Sequence, residues 1–296
     1  MSVQPFTFNH LLNYRSSEYL IRMDDGNRRE LLLELLGQSQ AEKTWLAICE
    51  LFKSWPEGEE KAKSLDFADQ ALEAWDDRLR HLLTTWRYFY EGDKLASLTR
   101  LARFIEIYRR EEDSSSDLWA IAHSETVRNL KYLTIVRGEL SLASIEAFAN
   151  SPYLTNLQSL TITNTLLSEE KLEQLFQTKA FPSLNALSLT NAGIKYDRLH
   201  LVSKSIPFSQ LENINFSGNY LKSEGLTILS QAPWLSSIEK LELRNNFIRD
   251  GGIGALTKSN YVKRLKLLDL SGNPLTEAGK KLLLDMANLK GFKLIL

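Results

Sequence analysis

The chain has 296 residues, 43% of them apolar, which is enough to bury one large core or two ordinary ones. A net charge of -1 and the shortness of every apolar run argue against a strongly basic nucleic-acid-binding protein and against a membrane-spanning helix. The single cysteine, Cys49, excludes an intramolecular disulfide and predicts a reducing, cytoplasmic location. Polar residues interrupt the apolar residues that follow Met1, so no signal peptide is expected.

Charge divides the chain into two parts. Residues 1–116 hold 16 basic and 21 acidic side chains, whereas residues 117–296 hold 20 and 16. A polar, charged stretch at residues 111–116 separates them and has the composition of a connector. We therefore predict an N-terminal domain of residues 1–116 and a second domain of residues 117–296.

The N-terminal domain is predicted to be all-α. After a weak helical pattern around residues 10–20, apolar side chains recur in steps of three and four, which is typical of helices with one buried face. Gly37, and later Pro56 with Gly58, are helix stops. The pattern predicts helices at residues 28–36, 42–55, 65–86 and 95–108.

In the second domain, one apolar pattern returns every 27 residues. Within each unit, further apolar side chains fall at the fourth, sixth and eleventh places, as in Leu241, Leu243 and Ile248. A fixed period of this length indicates a solenoid or a propeller. Six units and a truncated seventh begin at Leu130, Leu157, Leu184, Leu211, Ile238, Leu265 and Phe292. An atypical unit that includes Trp119 precedes them and is not counted in the numbering of the units.

Each unit is predicted to be a strand, a turn and a helix. Apolar and polar residues alternate over residues 213–216, whereas Leu226 and Leu229 have helical spacing. Stacked units would form a parallel sheet on one side and a row of helices on the other. Because helices are wider than the strand spacing, the stack should curve with its sheet on the concave side. Residues suited to cap the helices are Ser141, Ser168, Ser223, Asp250 and Thr276.

These units resemble leucine-rich repeats. The motif Leu-x-x-Leu-x-Leu-x-x-Asn-x-Leu, with conservative replacements, fits residues 211–221, 238–248 and 265–275. The helical second halves, which contain Gly225, Gly252 and Gly279, are similar to the ribonuclease-inhibitor-like subfamily. The resemblance implies a right-handed α/β horseshoe in which turn backbones are bonded by a ladder of Asn219, Asn246 and Asn273.

Two parts of the chain fit the resemblance less closely. The first three units have Gly138, Thr165 and Ala192 at the asparagine position, and Asn164 and Asn191, one residue earlier, are the candidate substitutes. The segment Trp-Asp-Asp-Arg-Leu at residues 75–79 is similar to the N-terminal companion region of bacterial leucine-rich-repeat proteins. The turns of the first three units should therefore be less regular than those of the later units.

No constellation of residues indicates catalysis. The four histidines are scattered, no pair has the spacing of a metal-binding helix, and the chain has no glycine-rich phosphate-binding loop. Cys49 lies on the apolar face of a predicted helix, where a thiol is inert. We therefore predict no enzyme activity, cofactor, metal or small-molecule substrate.

The remaining candidates are surfaces that bind a protein partner. The predicted concave face carries small hydroxyl side chains in the early units and charge in the late ones; its candidate residues are Tyr132, Arg137, Asn213, Asn215, Lys240, Glu242, Arg244 and Asp269. A rival surface is the loop edge after each strand, where Tyr220 and Phe247 occupy the tenth position and either contact a partner or cover their own turns. A basic cluster near the last strands is expected to be solvated; it contains Lys263, Arg264, Lys266, Lys290 and Lys293.

The sequence thus predicts a non-enzymatic protein-binding scaffold. One alternative is a GTPase-activating regulator, which needs an arginine poised at a loop, and Arg137 and Arg244 are the candidates. The other is a substrate adaptor for a ubiquitin-like ligase that docks through its helical part. Membrane or nucleic-acid binding is not expected. The chain from Phe292 to Leu296 begins a seventh strand, and an unprotected edge there would favour self-association.

Overall fold

The computed structural model describes residues 20–85, 89–92, 94–108, 115–203 and 210–296. Except for Leu20, the weak helical pattern around residues 10–20 lies outside these residues, and so do residues 111–114 of the predicted connector. The last two residues of that connector, Ser115 and Ser116, are helical. The described chain forms two compact units: residues up to 105 with residues 124–130, and residues 106–123 with residues 131–296. This division differs from the boundary predicted after residue 116, because helix Ser115–His123 packs on helix Leu142–Ala149 of the repeats.

The first unit begins with helices α1 (Asp25–Leu36), α2 (Glu42–Ser54) and α3 (Glu59–Ala71). The predictions of helices at residues 28–36 and 42–55 are confirmed by α1 and α2. Their apolar faces are buried, with Trp45, Phe52 and Leu35 inaccessible to solvent. Short elements follow: 3-10 turns at Asp77–Leu79, Ser97–Leu101 and Glu125–Val127, and strands β1 (His81–Leu83), β2 (Tyr90–Glu91) and β3 (Lys94–Leu95), of which β2 and β3 are antiparallel.

The prediction of an all-α N-terminal domain is wrong after residue 71. The predicted long helix ends where the buried guanidinium of Arg80 folds back and donates to the carbonyl of Leu72 at 3.2 Å. The same group donates to the carbonyl of Leu101 at 2.7 Å and pairs with Asp69. Arg80 thereby satisfies the carbonyl of the C-cap residue Leu72 without a further helical turn. The chain then turns and forms β1.

The predicted helix at residues 95–108 is also wrong. The 3-10 turn Ser97–Leu101 leads into strand β4 (Phe104–Tyr108), in which Ile105 and Ile107 are buried and Phe104, Glu106 and Tyr108 are half-buried. This alternation has the two-residue period of a strand, and the Phe-Ile-Glu-Ile-Tyr sequence is rich in the aromatic and β-branched residues that strands favour. β4 begins in the first unit and ends in the second.

The second unit alternates helices and strands. Its strands β5 to β11 are parallel and neighbour one another in chain order. Each helix from α4 to α10 packs against the next. The order is α4 (Ser115–His123), β5 (Tyr132–Val136), α5 (Leu142–Ala149), β6 (Ser159–Thr163), α6 (Glu169–Gln177), β7 (Ala186–Thr190), α7 (Leu199–Ser203), β8 (Asn213–Asn215), α8 (Lys222–Ser230), β9 (Lys240–Glu242), α9 (Asp250–Thr257), β10 (Leu267–Asp269), α10 (Glu277–Lys290) and β11 (Lys293–Ile295).

The strand register has the spacing of the sequence pattern. From β5 to β10, paired residues are 27 positions apart, and Leu267 pairs with Lys293, 26 positions later. Inward-facing residues such as Leu133, Leu241 and Leu268 are buried between the sheet and the helices. The second compact unit is therefore a mixed α/β solenoid in which every 27-residue repeat contributes to one continuous core.

An asparagine ladder stabilises the turns of the later units. Asn219 is buried; its Oδ1 accepts hydrogen bonds from the backbone N–H groups of Ala192 and Ile194, both at 3.0 Å. Its Nδ2 donates to the carbonyls of Leu189 and Phe216, both at 2.8 Å. Asn273 makes the same four bonds two repeats later. Asn246, in the repeat between them, makes two of the four, to the N–H of Leu221 and the carbonyl of Phe216. Each amide thereby satisfies backbone groups that have no partner within their own turn.

The expected substitutes in the early units do not join this ladder. Asn164 and Asn191 have exposed side chains, and Nδ2 of Asn191 donates to Oδ1 of Asn164 at 2.9 Å. Their role is conformational, since the eighth residue of every unit has a left-handed backbone, which asparagine and glycine tolerate best. The residues with this conformation are Arg137 (φ 64°), Asn164 (55°), Asn191 (50°), Gly218 (71°), Asn245 (50°) and Gly272 (71°).

The predicted structural glycines lie where neighbouring helices approach closely. A Cβ at Gly252 would lie 3.0 Å from the carbonyl oxygen of Ser223, and one at Gly225 would lie 2.9 Å from Leu199. A Cβ at Gly279 would overlap the carboxylate of Asp250. Side chains at these three positions would force the stacked units apart.

Three of the five predicted helix caps have that role, and two instead connect neighbouring units. The hydroxyls of Ser141, Ser168 and Thr276 accept from backbone N–H groups in the first turns of their helices. Ser223 lies inside α8, and its hydroxyl accepts from the N–H of Arg249 at 3.0 Å. Asp250, the first residue of α9, accepts from the N–H of Thr276 at 3.0 Å. The predictions that Ser223 and Asp250 cap their own helices are therefore wrong, since each side chain accepts its hydrogen bond from the next repeat.

Candidate functional site

On the open face of the sheet, formed by the outward residues of β5 to β10, the predicted charged residues pair with one another. Arg244 donates from Nη2 to Glu242 at 2.8 Å, and its Nε lies 2.8 Å from Oδ2 of Asp269. The ammonium group of Lys240 lies 3.1 Å from the second oxygen of Glu242. Two cations and two carboxylates thus neutralise one another within one cluster.

Asp269, expected on the surface, is buried at 2% exposure. Its Oδ1 accepts from the N–H of Ser271 at 3.0 Å and from the Ser271 hydroxyl at 2.7 Å. The hydrogen bond to Glu242 and the charge of Asp269 raise the pKa of Arg244 above its usual value. A partner that binds this arginine must compete with both carboxylates, so the cluster is better suited to stabilise the sheet than to bind a ligand.

The two arginines considered for a GTPase-activating role are not brought together. Arg137 is exposed on the turn after β5, whereas Arg244 follows β9, four strands further along the sheet. Arg244 also forms two ion pairs. Arg137 and Arg244 therefore cannot act together on one phosphate group.

Beside the charged cluster, the open face has a polar groove of ≈ 230 Å³. The predicted residues Asn213 and Asn215 line it together with Lys240 and Glu242, but Oδ1 of Asn215 is engaged by the N–H of Ser217 at 2.9 Å. Tyr132 is half-buried on β5 and does not line it. Because no aromatic side chain lines this groove, it lacks the residue types that dominate binding energy in protein interfaces.

The loop edge has the opposite character. Tyr220 and Phe247, which follow β8 and β9, are 51% and 56% exposed. Their rings stack with 5.7 Å between centroids and 5° between planes. At the same tenth position, two repeats before Tyr220, Leu166 is 76% exposed. The loop edge therefore presents large apolar side chains to solvent.

The turns that carry these side chains are fixed by backbone hydrogen bonds to neighbouring units. The N–H of Tyr220 donates to the carbonyl of Ile194 at 2.8 Å, and the N–H of Lys222 donates to the carbonyl of Asn246 at 2.9 Å. Because these backbones are already ordered, a partner that binds here does not have to order the loop.

A column of cations, which the sequence analysis did not identify, flanks the aromatic pair. Lys195, Lys222 and Arg249 are exposed at the twelfth position of units three to five. Lys195 forms an isolated parallel β-bridge with Tyr220, so the two columns lie side by side. The signal was present in the sequence as a basic residue two places after each tenth position in these three units.

The basic cluster near the last strands is largely neutralised. Arg264 and Lys266 lie 2.7 and 2.6 Å from the two oxygens of Glu239, and the hydrogen bond from Lys266 lowers the pKa of that carboxyl. The ammonium group of Lys290 donates to the carbonyl of Val262 at 3.0 Å. These cations belong to local contacts rather than to an open site.

Other kinds of site have little support among the described residues. In that part of the chain, no three histidine, cysteine or acidic side chains are grouped as metal ligands, and no helix is long and apolar enough to cross a membrane. Cys49 is fully buried, and burial, followed by the charge of Glu50, raises the pKa of its thiol. At the last strand, β11 pairs with β10; Phe292 is 7% exposed and Leu296 is 40% exposed.

No family model matches the sequence, and no curated protein matches it either. Solved structures similar to this chain include a Bacteroides fragilis protein (17% identity, TM-score 0.46, covering 64% of this chain and 64% of that one). InlP of Listeria monocytogenes aligns at 12% identity and TM-score 0.36, covering 59% and 51%. A leucine-rich-repeat protein of Leptospira interrogans aligns at 17% identity and TM-score 0.37, covering 69% and 52%. The chain thus spans less than two thirds of the length of each of these proteins.

Proposed function

We propose that this chain is a cytoplasmic, non-enzymatic protein-interaction module, a leucine-rich-repeat solenoid of the ribonuclease-inhibitor-like type that binds a protein partner. The binding surface is the loop edge of units four and five. The observation that supports the proposal is the stacked and half-exposed pair Tyr220 and Phe247 on turns that are held by the neighbouring units.

The comparison of the two surfaces supports this choice. Aromatic residues are enriched among the side chains that carry binding energy, and contiguous exposed apolar side chains mark contact sites. On the open face, by contrast, Arg244 is paired with Glu242 and Asp269. A partner gains apolar burial at the loop edge without first breaking ion pairs.

Affinity capture from native cell extract tests the proposal with three proteins: wild type, Tyr220→Ala/Phe247→Ala and Glu242→Ala/Arg244→Ala. We expect the aromatic double variant to lose proteins that the wild type and the open-face variant both recover. Equal recovery by all three would overturn the assignment to the loop edge. Loss only with the open-face variant would move the binding surface to the sheet. Circular dichroism of each variant verifies that it is folded.

A further inference from the structure

The backbone at Phe247 is unfavourable for the residue it carries. Phe247 has φ 59°, in the left-handed region, where bulky side chains are rarely found. Gly193, at the same tenth position two units earlier, has φ 72° and adopts this conformation without steric conflict. Because the Phe247 ring remains 56% exposed, burial within this chain recovers little of the conformational cost. An exposed phenylalanine in a position suited to glycine is explained better by contact with a partner than by folding.

The three cations beside the aromatic column are not neutralised by ion pairs within the described part of the chain. None of Lys195, Lys222 and Arg249 forms an ion pair with another described residue, and the Nζ of Lys222 lies 5.5 Å from the centroid of the Tyr196 ring. The nearby carboxylate of Asp250 is engaged by Thr276 and does not neutralise them. Three exposed cations thus flank two exposed aromatic rings along the stacking direction.

We infer that the loop edge binds an acidic segment of a partner protein that carries a large apolar or aromatic side chain. This inference rests on the proposed function and specifies the chemistry of the partner. The apolar side chain packs against the rings of Tyr220 and Phe247, and carboxylates on either side of it pair with Lys195, Lys222 and Arg249. Such pairs at a partly exposed rim contribute charge selectivity and association rate more than affinity.

A protein segment fits this surface better than a nucleic acid does. Asp197 and Glu224 are exposed and follow Lys195 and Lys222 by two residues along the chain. Nucleic-acid binding depends on an uninterrupted track of basic side chains along the phosphate backbone. The carboxylates of Asp197 and Glu224 would repel the phosphates of a strand that passes them. A peptide can place its carboxylates opposite the cations alone.

Selection from a random dodecapeptide display library tests the inference, with wild-type protein as bait and the Phe247→Gly variant as counter-selection. We expect the enriched peptides to combine an aromatic residue with neighbouring Asp and Glu. The selected peptide, labelled with fluorescein, is then titrated by anisotropy. Lys222→Gln/Arg249→Gln should slow association and weaken its salt dependence, with a loss of affinity of only about two- to fivefold. Lys258→Gln, which changes an exposed lysine at the end of α9, should alter neither.

Several outcomes would overturn the inference. They are enriched peptides without an acidic excess, no enrichment that depends on Phe247, undiminished binding of the Gln/Asn form of the selected peptide, and tighter binding of a single-stranded oligonucleotide than of the peptide. If Tyr220→Ala/Phe247→Ala nevertheless loses the captured proteins, the proposed function stands and only the acidic preference fails. If that variant loses nothing and no peptide is enriched, both fail.

Discussion

Replacement of Asn219 by alanine should destabilise the protein more than any surface change in the repeats. The side chain is 1% exposed, and its amide makes four hydrogen bonds of 3.0 Å or less to backbone groups of two units. At roughly 1 kcal/mol of net stabilisation for each bond, Asn219→Ala should cost about 4 kcal/mol. That is a large fraction of the roughly 5–15 kcal/mol that stabilises an ordinary domain.

Asn213→Ala is the matched control, because Asn213 is a half-buried asparagine on the open face of β8 in the same unit. Its replacement should change stability by no more than about 0.5 kcal/mol. Urea denaturation followed by circular dichroism measures both variants, and hydrogen exchange at the amides of Ala192 and Ile194 reports whether the loss begins at this turn. The same urea midpoint in both variants, or amides of Ala192 and Ile194 that remain as protected as in wild type, would contradict a stabilising role for the Asn219 side chain.

Three further predictions concern packing, pH and reactivity. Gly279→Ala should lower the melting temperature because its methyl group would overlap Asp250, whereas Gly254→Ala in α9, where a methyl group meets no atom within 4 Å, should raise it. Hydrogen bonds from Thr276 lower the pKa of Asp250, so the stability that its carboxylate contributes is present above the unfolded carboxyl pKa of about 3.9 and is lost as pH falls through the folded value. The urea midpoints of wild type and Asp250→Asn should therefore converge in acid. A difference between the midpoints that does not change with pH would contradict this. Cys49 should resist iodoacetamide at pH 8 until urea unfolds the chain, since burial raises its pKa, and rapid alkylation of the native protein would contradict that burial.

The repeats were predictable because their period appears many times in the sequence. Leu241, Leu243 and Ile248 occupy buried positions that recur in the neighbouring units, so each unit supports the interpretation of the next. The first compact unit of the structure, which contains helices α1 to α3, has no such repetition. There, Leu72, Trp75, Leu79 and Leu82 have helical spacing but do not lie in one helix, since α3 ends at Ala71. The bond from Arg80 to the carbonyl of Leu72, just past that end, is one that no local pattern indicates.

The candidate site was only partly predictable for a related reason. The position of Tyr220 and Phe247 on the loop edge follows from the period, and so does the neighbouring column of cations. Pairing within the open face does not, because it depends on the side-chain rotamers of Arg244 and on the burial of Asp269. Sequence spacing places residues on a face, but only the folded structure shows which charges are already satisfied.

The most direct test of the central claim is the affinity of a captured partner for wild type and for Phe247→Gly, measured by isothermal titration calorimetry beside their urea midpoints. The variant removes the exposed ring and relieves the left-handed backbone, which costs roughly 1–3 kcal/mol for a non-glycine residue. We predict binding at least about tenfold weaker, with a midpoint no lower than that of wild type. Unchanged affinity, or a clear loss of stability, would contradict the claim that Phe247 is placed there to contact a partner.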